Sequence, residues 1–114
     1  MVEKLTWFTG AQVHGTDDLI ITPGSQGALF LALAASVGPG DRVSVVQPDY
    51  FANRKIVDFL GGQVEPVRLA HLDVRSGAGL DLSDLERSFA KGSRVLVFSI
   101  PNNPTGVVSS ATET

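Results

Sequence analysis

Thr22-Pro23-Gly24-Ser25-Gln26-Gly27-Ala28-Leu29 packs small residues into a turn just ahead of an Ala- and Leu-rich run. The first amides of a helix have no intrahelical acceptor and favour negative charge, so the backbone at Ser25 and Gln26 could receive a phosphate. Read alone, the turn also describes an ordinary capped helix start. Gln47-Pro48-Asp49-Tyr50 closes a valine-rich run and holds the chain's only tyrosine. The ring of Tyr50 could cover a flat ligand, or be a half-buried surface aromatic; Asp49 could cap the helix that follows. Ile100-Pro101-Asn102-Asn103-Pro104-Thr105-Gly106 demands a defined turn after an apolar run, and its Asn-Pro bond is a candidate for cis geometry. A plain loop is the bland alternative, yet this segment is the most specific of the three. All three follow strands, where α/β proteins bind ligands.

Taken together and in this order, the segments resemble the class I/II aminotransferase family of fold-type-I pyridoxal-phosphate enzymes, over roughly Leu19 to Val108. The resemblance implies that backbone amides at Ser25 and Gln26 hold the phosphate of pyridoxal 5'-phosphate. It also implies that Tyr50 stacks on the pyridine ring and that Asn103 bonds the phenolic oxygen. The implied activity moves an amino group between an amino acid and a 2-oxo acid, in a homodimeric enzyme of amino acid metabolism. A lyase or synthase of the same fold, or a non-catalytic α/β module, are the alternatives. Ile100 departs from the asparagine frequent in the family, and Gln26-Gly27 stands where two polar residues are common; neither removes a backbone contact. The family's catalytic lysine, the aspartate facing the pyridine nitrogen and two arginines would lie beyond Thr114. The chain is therefore expected to be an N-proximal part of such an enzyme, inactive by itself, and no catalytic residue is assigned in it. Ser88-Phe89-Ala90-Lys91 imitates the lysine motif, but it precedes the Asn-Asn-Pro-Thr-Gly segment, whereas the family's lysine follows it. Lys91 reads instead as a cation complementing a helix end.

Nothing else in the chain carries comparable chemistry. With no cysteine, disulfides, thiolate metal sites and cysteine nucleophiles are excluded. His14 and His71 are isolated, so no metal is assigned, and Asp81, Asp84 and Glu86 belong to a capping segment rather than an acid–base pair.

Short β-branched runs alternating with helical stretches position the three segments. Strands are expected over Leu19 to Thr22, Arg42 to Gln47, Val64 to Leu69 and Arg94 to Ile100, the third at an edge because of Pro66. Between them the pattern predicts a helix from Gln26 to Val37, buried on more than one side. A second helix, from Phe51 to Leu60, would turn Phe51, Ile56, Val57 and Leu60 inward. Ser83-Asp84-Leu85-Glu86 matches a capping box opening a third, which would bury Leu85 and Phe89 and end at Gly92. Arg75 to Gly79 reads as a loop. Residues 1–18 carry no assignable pattern, although Trp7 and Phe8 are expected to pack; residues 19–114 would be part of a cofactor-binding large domain. The fold class is α/β: three α/β/α layers around a mostly parallel sheet, joined by right-handed crossovers. By the resemblance, the first strand would lie at the far edge, separated from the others by strands this chain lacks. The fourth would expose an edge that is normally paired.

Length and composition agree with a folded α/β segment. The 114 residues suit one domain, and 43% hydrophobic with 18% charged residues is a globular balance. A net charge of −3 offers no general field for nucleic acid or an anionic membrane. The longest apolar run, Ala28 to Val37, is far short of the ~18 residues that span a bilayer. The start, Met1 to Leu5, has no apolar stretch of secretory length, which makes the cytoplasm the default location.

Overall fold

The computed structural model describes residues 1–71 and 78–108. Its elements run α1 (Val2–Thr9), α2 (Gly15–Asp18), α3 (Ser25–Ser36), β1 (Arg42–Gln47), α4 (Phe51–Phe59), β2 (Gln63–His71), β3 (Ala78–Leu80), α5 (Leu82–Ala90) and β4 (Val95–Val97). The sheet has the order β3-β2-β1-β4. β1 pairs in parallel with β2, from Arg42↔Gln63 to Gln47↔Arg68, and with β4, from Val43↔Val95 to Val45↔Val97. β3 joins antiparallel at the end of β2, with Leu69↔Leu80. The sheet is thus mostly parallel, as the alternating sequence pattern requires.

Successive side chains of a strand enter opposite faces, and β1 uses both. Val43 and Val45 pack with Leu33, Val37, Val57 and Val97 beneath α3 and α4. Val46 packs with Val67 and Leu80 on the other face, where Leu85 of α5 adds cover. Helices therefore lie on both sides of the sheet, giving three layers. Each fully buried valine contributes about 1.5–3 kcal/mol relative to exposure. The α4–β2 connection depends on Gly62: a Cβ there would meet Val57 Cγ1 at 2.9 Å and Val37 Cγ1 at 3.0 Å.

Several local expectations are corrected. Leu19 to Thr22 is not a strand; Ile20 and Ile21 are 80% and 74% exposed, and no strand among the described residues pairs with them. A short apolar run becomes a strand only where a neighbour takes its backbone hydrogen bonds. α3 buries only Leu33 within its length, not several sides. Trp7 and Phe8, in α1, are exposed rather than packed. Phe51 points outward at 62% exposure, with Lys55 Nζ 5.4 Å from its ring centre, and α4 instead buries Ala52, Asn53 and Val57. The cap of α5 is Asp81, whose carboxylate accepts Asp84 N at 3.1 Å, not Ser83; Ser83 Oγ donates to Asp81 at 2.6 Å.

The inner face of α5 is polar: Asp84 and Ser88 are buried, Leu85 is half-buried and Phe89 is exposed. The reason lies across the interface, where buried Ser44 shares hydrogen bonds with Ser88 (2.6 Å) and Ser93 (2.8 Å). Ser93 Oγ also accepts Ser44 N at 3.0 Å. β4 pairs only over Val95 to Val97, and the expected strand frays before Phe98 and Ile100, both exposed. Pro66 lies in a strand with neighbours on both sides, but β3 covers only residues 69–71, so proline faces no partner there. Gly79, expected in a loop, belongs to β3, whereas Arg75 to Gly77 lie outside the described residues.

Candidate functional site

Three connections from separate elements meet at one end of the α3/α4 side and border an open cavity of about 520 Å³. Ser25, Gln26, Tyr50 and Asn103, the four residues singled out from sequence, all line it.

The first wall is the start of α3. Gly24 is its N-cap, with φ 83° and ψ 162°, a conformation that glycine adopts at little cost, and no side chain caps the helix. The turn ahead is held by Gly24 N to Thr22 O at 2.9 Å and by Thr22 Oγ1 to Gly24 O at 3.0 Å. With no capping oxygen, the first amides of α3 keep their donors for something in the cavity. The second wall is Tyr50, the N-cap residue of α4, whose hydroxyl accepts a hydrogen bond from Gln26 Nε2. Asp49 does not cap that helix; its Oδ1 accepts Asn53 Nδ2 at 2.6 Å. The third wall is Asn103, whose amide donates to Ser99 Oγ at 2.9 Å while its exposed side chain faces the cavity. The Asn103–Pro104 peptide is cis.

Asn102 fixes the second and third walls to each other, a role that no local motif encodes. It is 6% exposed, and its Nδ2 donates to Pro48 O at 3.2 Å, bridging the loop after β1 to the loop after β4. Its Oδ1 accepts Thr105 Oγ1 at 2.7 Å, and its backbone closes the turn through Asn102 N to Val107 O (2.7 Å) and Gly106 N to Asn102 O (2.6 Å). Leu29, Asn53 and Ser99 also line the cavity and escaped sequence reading. Helical spacing was the available signal for two of them: Leu29 lies one turn after Ser25, and Asn53 three residues after Tyr50.

The electrostatics are simple. Among the described residues, none that lines the cavity carries a charged side chain, and their dominant field is the positive end of α3. An anion at that helix start meets donors and no carboxylate. Asp49, next to the wall, has its carboxyl raised above the ordinary value by burial, with the Asn53 hydrogen bond opposing. A flat ligand with one phosphate fits this set: amides for the phosphate, a ring for its face, a carboxamide for a polar edge.

The family model for aminotransferase class I and II matches residues 4–114. An aspartate aminotransferase of Sulfurisphaera tokodaii is 35% identical over 92 residues, 81% of this chain and 23% of that protein. The crystal structure of an aspartate aminotransferase from Rhodobacter sphaeroides superposes with a TM-score of 0.91 at 57% identity, covering 98% of this chain and 29% of that one. Cystalysin from Treponema denticola, a structure containing pyridoxal 5'-phosphate, matches with a TM-score of 0.71 at 27% identity over 81% of this chain and 23% of that one. The chain thus spans about a quarter of the length of these relatives.

Proposed function

The chain belongs to the class I and II aminotransferase family, and from that membership we propose that its cavity is the cofactor-facing part of a pyridoxal 5'-phosphate site. One observation carries the reading: an uncapped helix start, an aromatic ring and a carboxamide line a single cavity that, among the described residues, has no charged side chain in its lining. The amides of Ser25 and Gln26 hold the phosphate, each charge-assisted bond contributing roughly 1.5–3 kcal/mol. The ring of Tyr50 covers the pyridine plane, worth about 1 kcal/mol, and fixes its tilt. Gln26, bonded to the Tyr50 hydroxyl, keeps that ring from swinging. Asn103 donates to the phenolic oxygen, and Asn102 sets the distance between that amide and the ring. When bound, pyridoxal phosphate supplies an electron sink for the carbon bearing the amino group, and the protein supplies binding, orientation and local field.

For the whole protein, the proposed activity is transfer of an amino group between an amino acid and a 2-oxo acid, in a homodimeric cytoplasmic enzyme of amino acid metabolism. Residues 19–114 are assigned to its cofactor-binding large domain. No helix among the described residues is long and apolar enough to cross a membrane.

Pyridoxamine 5'-phosphate is the appropriate probe, because it has no aldehyde for surface lysines to capture. In NMR titrations of the chain, saturable shifts are expected at the amides of Ser25 and Gln26 and at Asn103. Tyr50→Ala should weaken binding about fivefold, the equivalent of ~1 kcal/mol. Removing the phosphate from the probe should abolish the shifts at residues 25–26. Saturable shifts confined to other surfaces would overturn the assignment.

A further inference from the structure

A second cavity, of about 330 Å³, lies between β2 and α5 and shares no lining residue with the first. Buried Glu65 and Asp84 line it, and Arg68, Arg87 and Lys91, each with a side chain more than half exposed, stand around them. Arg68 gives Nε (2.6 Å) and Nη2 (3.0 Å) to Asp84, and Arg87 gives Nη2 to the same carboxylate. Lys91 gives Nζ to Glu65 at 2.8 Å.

Among the described residues, cations outnumber carboxylates here by one. The balance is unchanged when the neighbours Arg42, bonded to Glu65, and Asp81, 3.8 Å from Arg68, are included. In a chain of net charge −3, this is a local reversal of sign. Each guanidinium has five N–H donors and the ammonium three, so the carboxylates use only part of the supply. Arg68 Nη1 has no acceptor among the described residues, and Lys91 has two N–H groups beyond its bond to Glu65. Because the carboxylates already hold the cations in place, an incoming anion would order few additional side chains. The N–H groups that Asp84 leaves free on the two guanidiniums, together with the ammonium, suit an oxyanion of charge two better than a single carboxylate.

We propose that Arg68, Arg87 and Lys91, held by Asp84 and Glu65 in the β2–α5 cavity, form a second anion site that binds a phosphate dianion, free or as a small phosphomonoester. It gives Lys91 a role independent of the motif it imitates, and does not rest on the cofactor reading.

The test is an NMR titration of the full chain with inorganic phosphate at neutral pH and constant ionic strength, with chloride as the control. Saturating shifts in the millimolar range are expected at Asp84 to Lys91 and at the Arg68 side chain. Glycerol phosphate in place of inorganic phosphate shows whether an ester is accepted, and binding by either supports the site. Arg87→Gln and Lys91→Gln should each weaken binding about tenfold. Each leaves its carboxylate a remaining partner, Arg68 or Arg42, so the fold has no orphaned buried charge. Lys91→Arg should retain binding. Shifts that chloride reproduces, or binding unchanged in both Gln variants, would refute the site. Saturation only at residues 25–28 would also refute it, while supporting a phosphate at the start of α3.

Discussion

Burial and hydrogen bonding pull Asp49 in opposite directions, and burial prevails. Its Oδ1 is bonded to Asn53 while its Oδ2 is buried without a partner. The folded-state pKa is raised above 3.8, mainly by desolvation. A carboxyl raised by folding favours the folded state when protonated, so this contribution is lost as pH rises through the raised value. Asp49→Asn keeps an acceptor for Asn53 and removes the desolvated charge. Its urea midpoint, relative to the parent, should therefore climb between acid and neutral pH; parallel profiles would contradict the burial argument. Glu65 has the opposite sign. Lys91 first, with Arg42, holds its carboxyl below 4.5, so its contribution is present above the ordinary glutamate range and is lost as pH falls through the depressed value. Glu65→Gln should flatten the acid limb of the stability profile. That Ser25, Gln26, Tyr50 and Asn103 line one cavity was foreshadowed by the short motifs that hold them. Asn102 was not: its partner Pro48 lies 54 residues away, and no local pattern encodes that contact.

Among the elements, β1 and α4 could be placed from sequence because a β-branched run and a longer helix-forming stretch are each bracketed by glycines or prolines. The expected strand from Leu19 to Thr22 failed for a different reason: a strand is a property of a pair, and composition reports only one member. The cap of α5 failed more finely, since Asp81 and Ser83 are both good capping residues two positions apart. Asp81→Ala should lower the melting temperature more than Ser83→Ala; the reverse order would restore Ser83 as the cap. The serine network between β1 and α5 was hidden because serine on an inner helix face looks like a surface residue. Ser93→Ala removes an acceptor from Ser44 N and a hydroxyl from the network, at an expected cost of roughly 1–2 kcal/mol in urea unfolding. A loss below a few tenths would mean that solvent replaces the lost bonds.

At the scale of the molecule, the chain exposes 7846 Å², whereas a compact protein of this mass exposes about 6,000 Å². Its radius of gyration is 15.6 Å against roughly 13 Å for a compact chain of this length. The excess area is about twice what one partner buries in a standard interface, and exposed Trp7, Phe8, Ile20, Ile21 and Phe59 contribute to it. Among the described residues β4 pairs with β1 alone, which leaves its outer edge open there. The isolated chain should therefore self-associate in sedimentation velocity as concentration rises. A monomer at all concentrations, unfolding cooperatively at a high midpoint, would contradict this. The walls of the main cavity are joined by bonds that span 24 residues, from Gln26 to Tyr50, and 54 residues, from Pro48 to Asn102. No short peptide from this chain can therefore recreate the pocket, and a small molecule seated there would act as a staple across most of the polypeptide. Pyridoxamine 5'-phosphate at a hundredfold excess over its Kd should make global unfolding harder by about 2.7 kcal/mol, and hydrogen exchange should slow together at all three walls.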